Sequence, residues 1–122
     1  MPSRHLIAAL LVVAGPASAA QTPSPVVPVV LQGYYGMPQT IHLSAGRPVT
    51  LEFVNRSWNR HNFAARGFFA SSQILGGNIH KGNITLEPKE VERVTLIPVR
   101  GSYRTSCVLH RHLGMQGEIV VD

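Results

Sequence analysis

The chain has a single cysteine, Cys107. That excludes an internal disulfide framework, a four-thiolate zinc or iron–sulfur site, and c-type haem attachment, which needs two cysteines. Aspartate is nearly missing as well. The only one is the terminal Asp122, so no Asp lies near Cys107 in sequence to orient a Cys–His nucleophile. Long apolar runs are also lacking. The unbroken stretch LIAALLVVA, residues 6–14, is far below the roughly 20 residues that a membrane-spanning helix needs. Charged residues make up only 14% of the chain and hydrophobic ones 44%, which excludes a disordered polyelectrolyte. A length of 122 residues accommodates one domain and leaves no room for a second of ordinary size.

What is present begins with an export signal. Arg4 and His5 precede the apolar stretch, Gly15 and Pro16 break it, and Ala17, Ser18 and Ala19 supply small residues at a cleavage position. Residues 1–20 therefore read as a signal peptide, with cleavage after Ala19 or Ala20. Residues 21–28, rich in proline, read as a tether, and residues 29–122 as the folded domain. The expected destination is the periplasm. A lone cysteine in an oxidising compartment needs an explanation, because thiols there are usually paired. It is buried, bonded to another chain, or held by a metal.

The domain is punctuated for strands. With 11 Gly and 9 Pro, turn signals recur at short intervals. Residues 26–31 and 91–99 are β-branched runs. Residues 48–54 alternate, placing Val49, Leu51 and Phe53 on one face and Thr50 and Glu52 on the other. Shorter strand signals cover residues 40–43, 102–107 and 118–121. Only residues 63–75 leave room for a turn or two of helix. An all-β sandwich of about seven to eight short strands, with at most one short helix, is the expected fold.

The chemistry concentrates near the C-terminus. Cys107, His110 and Met115 stand at Cys-x2-His-x4-Met spacing, and His61 lies 46 residues before the cysteine, just after the long alternating strand. Two imidazoles and one thiolate form the trigonal set that copper prefers in electron-transfer sites, with a thioether as weak axial ligand. Thiolate and thioether suit Cu(I), and imidazole suits both valences. Taken singly, each residue has an ordinary explanation: a buried cysteine behaves as a small hydrophobe and a methionine fills core space. It is the joint spacing that points to a metal.

In these residues the chain resembles the cupredoxins, the small blue-copper proteins, and among them the plastocyanin and pseudoazurin ligand pattern. The Gly-x-Tyr-x3-Cys approach appears as Gly101, Tyr103 and Cys107, the ligand loop as Cys107, His110 and Met115, the strand start after it as Gly117, Glu118 and Ile119, and the first ligand as His61 followed by Asn62. The resemblance implies a Greek-key sandwich holding one type 1 copper. His61, Cys107 and His110 would be equatorial ligands and Met115 the axial one. Asn62 would tie the two ligand loops together near Ser106, and Tyr103 would be structural. It implies an exported, non-enzymatic carrier of single electrons. The alternative from the same ligands is a periplasmic copper-binding or chaperone protein.

The chain departs from the family at one position of the ligand pattern. The family's proline before the exposed histidine is Leu109 here. His42 and His80 are expected at the surface, and His112 is expected to be exposed. Asn55-Arg56-Ser57 and Asn83-Ile84-Thr85 are glycosylation sequons, relevant only in a eukaryotic host. Arginines are scattered and no recognition helix or RNA-binding strand motif is present, so nucleic acid is rejected as a partner. Arg60 and Arg111 flank ligand histidines. With a net charge of +5 they point to a redox partner with an acidic docking face, met by a monomer with no membrane span after cleavage.

Overall fold

The computed structural model describes residues 10–13, 15, 23–32, 40–107 and 116–122. Among them the chain forms nine strands and one short helix: β1 Val26–Leu31, β2 Thr40–Leu43, β3 Val49–Asn55, β4 His61–Ala64, α1 Arg66–Ser71, β5 Gln73–Gly76, β6 Asn83–Leu86, β7 Val91–Ile97, β8 Gly101–Ser106 and β9 Gln116–Val121. They build two facing sheets. One has four strands in the order β1-β3-β7-β5, the other five in the order β2-β9-β8-β4-β6. From β1 to β8 successive strands alternate between the sheets. Only β8 and β9 follow one another in sequence and are neighbours in one sheet. The expected Greek-key β-sandwich is the fold, with a few more strands than the sequence signals marked.

The long strands form where period-2 alternation can bury one face. In β3, Val49, Leu51 and Phe53 are buried, and in β7 Val94 and Leu96 face them. The outward residues pair across the same two strands. Thr50 bonds to Thr95 through their hydroxyls at 2.8 Å, and Glu52 bonds to Arg93. β1 lies parallel to β3, and Pro28 pairs there with Glu52. The end of the Pro-rich tether is thus part of the sheet, on an edge strand, where proline is tolerated.

The strands absent from the sequence reading, β4, β5 and β6, have four residues each. Their ends are set by partners elsewhere in the chain. The helix occupies the middle of the segment that could hold one. It places Phe68 and Phe69 in the core.

Aromatic rings join the two sheets. Phe53 and Phe63 meet at 4.8 Å between centroids, Phe63 reaches Phe69 at 6.3 Å, and Phe68 packs edge-on to Tyr103 at 5.5 Å. Tyr103 also explains the Gly-x-Tyr spacing. Its hydroxyl donates to the Val99 carbonyl at 2.8 Å, folding the ring back over Gly101. A Cβ at Gly101 would stand 3.0 Å from that hydroxyl, and the residue has a positive φ of 152°. Glycine is required there by close approach as well as by backbone conformation.

Candidate metal centre

His61 opens β4. The strand alternates in burial, so His61 and Phe63 point into the sandwich while Asn62 and Ala64 are half-buried. His61 is fully buried, and in register it faces Leu86 of β6. Asn62, expected to tie the ligand loops together, lies opposite Thr85.

Cys107 follows the last residue of β8. Pairing of Ala64 with Ser106 sets β4 against β8. One step past that pair, Cys107 faces inward on the same side as His61, two places along the neighbouring strand. Diagonal neighbours of this kind are within reach of long side chains. The result is a buried contact between residues 46 apart in sequence: Cys107 Sγ lies 3.9 Å from His61 Nδ1, and Cys107 is itself fully buried.

That distance can be tested against a metal. Bonds of about 2.3 Å to sulfur and about 2.0 Å to nitrogen, meeting at a trigonal angle, put the two donors about 3.7 Å apart. The thiol and the imidazole nitrogen have the separation and the chemistry to share one ion, so the residues present fit the group. Among the described residues no set of three or more His, Cys, Asp or Glu forms a metal group. His110 and Met115, the other expected ligands, lie outside the described residues, as do Leu109, Arg111 and His112.

The sheet nonetheless places the two strands that flank this stretch of sequence. Ser106 pairs with Gln116, so β8 ends and β9 begins side by side at one rim of the five-stranded sheet. This hairpin is the one within-sheet connection between consecutive strands among those described.

The approach to His61 is held by a residue that the sequence marked only as a sequon. Asn55 ends β3 and is fully buried. Its amide nitrogen donates to the carbonyls of Asn59 at 2.8 Å, Glu87 at 3.0 Å and Leu86 at 3.2 Å. Its oxygen accepts from the Ser57 backbone N–H at 3.0 Å and from the Ser57 hydroxyl at 2.8 Å. A nitrogen so placed is closed to glycosylation in the folded protein. A signal for it did exist: Val49, Leu51 and Phe53 continue by period two to Asn55, and burial follows that face one step further than the apolar pattern.

Charge around the site is less one-sided than the sequence implied. Arg60 pairs with Glu87 at 2.8 Å, both side chains more than half exposed. Trp58 stands 81% exposed in the same loop, with the Lys89 ammonium 4.3 Å from its ring centre. His42 is exposed, as expected. His80 is exposed too, as expected, and bridges to Asn83.

Known proteins share this architecture. Auracyanin from the photosynthetic bacterium Roseiflexus castenholzii, solved in a dithionite-reduced form, is 17% identical over 83% of this chain and 99% of its own, with a TM-score of 0.61. Auracyanin B is 20% identical over 85% of this chain and 93% of its own, with a TM-score of 0.60. A multicopper oxidase from Campylobacter jejuni is similar as well: 14% identical, covering 85% of this chain but 31% of the oxidase, with a TM-score of 0.59. At these identities the likeness establishes the fold. No curated protein matches in sequence. The model of the cupredoxin-like domain matches residues 3–121, nearly the whole chain, and the protein belongs to that family.

Proposed function

We propose that the protein is an exported type 1 copper protein that carries single electrons and is not an enzyme. Copper would be held by His61, Cys107, His110 and Met115. The observation that carries the reading is the buried Cys107–His61 contact at 3.9 Å, a thiol and an imidazole brought together from distant strands. When bound, copper supplies a centre that changes valence by one electron. The protein's part is to hold and to shield. β4 and β8 fix the imidazole and the thiol in advance, and burial keeps water from both. A site set by two paired strands needs little rearrangement when charge arrives, which favours rapid transfer.

A small single domain, spanning nearly the full length of the auracyanins and about a third of the oxidase, suits a carrier. The exposed segment at residues 10–13 suits removal of a signal and a periplasmic destination. The test is the visible spectrum after loading with Cu(II). An intense thiolate-to-copper band is expected, lost completely in Cys107→Ser while the strand signal in circular dichroism is kept. A colourless Cu(II) complex of the natural chain overturns the type 1 reading and favours copper storage or delivery.

The partner reading rests on the net charge of +5. Electron transfer to an acidic partner should slow as salt rises, since charges more than about 8 Å apart are largely screened at physiological ionic strength. Stopped-flow rates that stay flat or climb with salt would reject an acidic docking face.

A further inference from the structure

We infer that Asn55 is a positioning residue for the metal centre, setting the approach of His61; this rests on His61 being a copper ligand. One carboxamide gathers every segment that leads to the histidine. It donates to Asn59, two residues before His61, and to Leu86, the residue paired with His61 across β4 and β6. It also donates to Glu87, while its own backbone N–H donates to the Glu90 carbonyl at 2.9 Å, just before β7. Ser57 fastens the turn between them, its hydroxyl donating to Asn55 Oδ1 and lying 3.0 Å from the Asn59 carbonyl.

The physical case is one of substitution. Residues 56–60 form a loop with few buried side chains, so apolar packing cannot fix their path into β4. Hydrogen bonds do so instead. Asn55 is fully buried and its bond to the Leu86 carbonyl is buried with it, so that carbonyl has little alternative partnership from water, and losing the amide leaves it short of a donor. The loop must then move to recover them, and the residue it delivers is His61. Partners that orient metal ligands in this indirect way typically govern affinity about 10- to 100-fold. Asn55 would do this from the β3 side of the site, whereas Asn62 is next to the ligand within β4.

The deciding experiment compares the natural chain with Asn55→Asp, Ser57→Ala and Val29→Ala. Asn55→Asp keeps the shape and the bonds accepted from Ser57 but removes all three amide donations. Val29→Ala opens the core in β1, away from the loop, and serves as a control for lost stability. Readouts are Cu(II) affinity by chelator competition, the position of the charge-transfer band, and the His61 imidazole nitrogen shifts of the metal-free protein by NMR. Asn55→Asp is expected to bind Cu(II) about 10- to 100-fold more weakly, with a shifted band and moved imidazole signals. Val29→Ala is expected to keep all three. If Asn55→Asp does not fold, Ser57→Ala decides, with smaller shifts in the same direction. Asn55→Asp, or in its place Ser57→Ala, that is indistinguishable from Val29→Ala overturns the inference alone. A natural chain that takes up no copper overturns the proposed function and the inference with it.

Discussion

The two sheets are built from the same alternation but do different things with their buried faces. The four-stranded sheet turns almost nothing but hydrocarbon inward: Val29, Leu31, Leu51, Phe53, Val94 and Leu96 are all at most 1% exposed. Its one fully buried polar side chain among the described residues is Asn55, at the very end of β3. The five-stranded sheet buries hydrocarbon too, in Phe63, Ile84, Leu86 and Ile119, but also His61, Thr105 and Cys107. These polar and sulfur-bearing groups gather where β4 and β8 are paired. Burying such groups is costly unless something satisfies them. The sandwich gathers most of that cost at one end of the five-stranded sheet and leaves the other mainly as scaffold.

The separation breaks most severely if the scaffold fails. Phe53→Ala removes the ring that meets Phe63 across the sandwich. A loss of about 3–5 kcal/mol is expected for a buried phenylalanine, measured by urea unfolding of the metal-free protein. If the variant is folded, it should still develop the copper band. A folded Phe53→Ala protein without colour would show that the two sheets cannot be treated apart.

The next effect acts on the other sheet. Copper that binds the folded state alone stabilises it by mass action, by about 2.7 kcal/mol at a free concentration one hundred times the dissociation constant. The melting temperature should rise with Cu(II), and Cys107→Ser should remove most of that rise. Equal stabilisation of both proteins would place the bound ion away from Cys107.

The smallest effect belongs to a carboxylate on the scaffold. Glu92 lies on the inward-facing side of β7, in register with Phe53 and half-buried. Burial holds its pKa above the ordinary glutamate value, helped by a hydrogen bond to Glu90 and repulsion from that carboxylate. The folded state therefore holds this proton more tightly than the unfolded state. Its contribution is fully present below the ordinary glutamate value and is lost as pH rises through the raised one. Glu92→Gln should flatten that decline and be slightly the more stable protein at neutral pH. Denaturant midpoints from pH 4 to 7 check this. A steeper fall in the variant would mean the carboxylate is favoured by the fold in its charged form.

Much of this was legible in the residues. The alternation of β3 and the β-branched run of β7 announce themselves because burying one face of a pleated strand demands it. The spacing of Cys107, His110 and Met115 is a property of one short stretch of sequence and needs no fold to be read. Gly101 before Tyr103 is likewise local, a close approach between residues two apart.

Tertiary structure decided the rest. β4, β5 and β6 are strands because β8, β7 and β4 offer them hydrogen-bonding edges. His61 stands beside Cys107 because β4 and β8 are neighbours in one sheet, a pairing between segments more than forty residues apart that no local spacing encodes. Asn55 shows the boundary between the two kinds of information. Period two puts it on the buried face, but which carbonyls it would meet there was settled only when β6 and the loop into β4 closed around it. Side-chain direction follows from the chain's own repeat, whereas the identity of a partner depends on packing between distant strands.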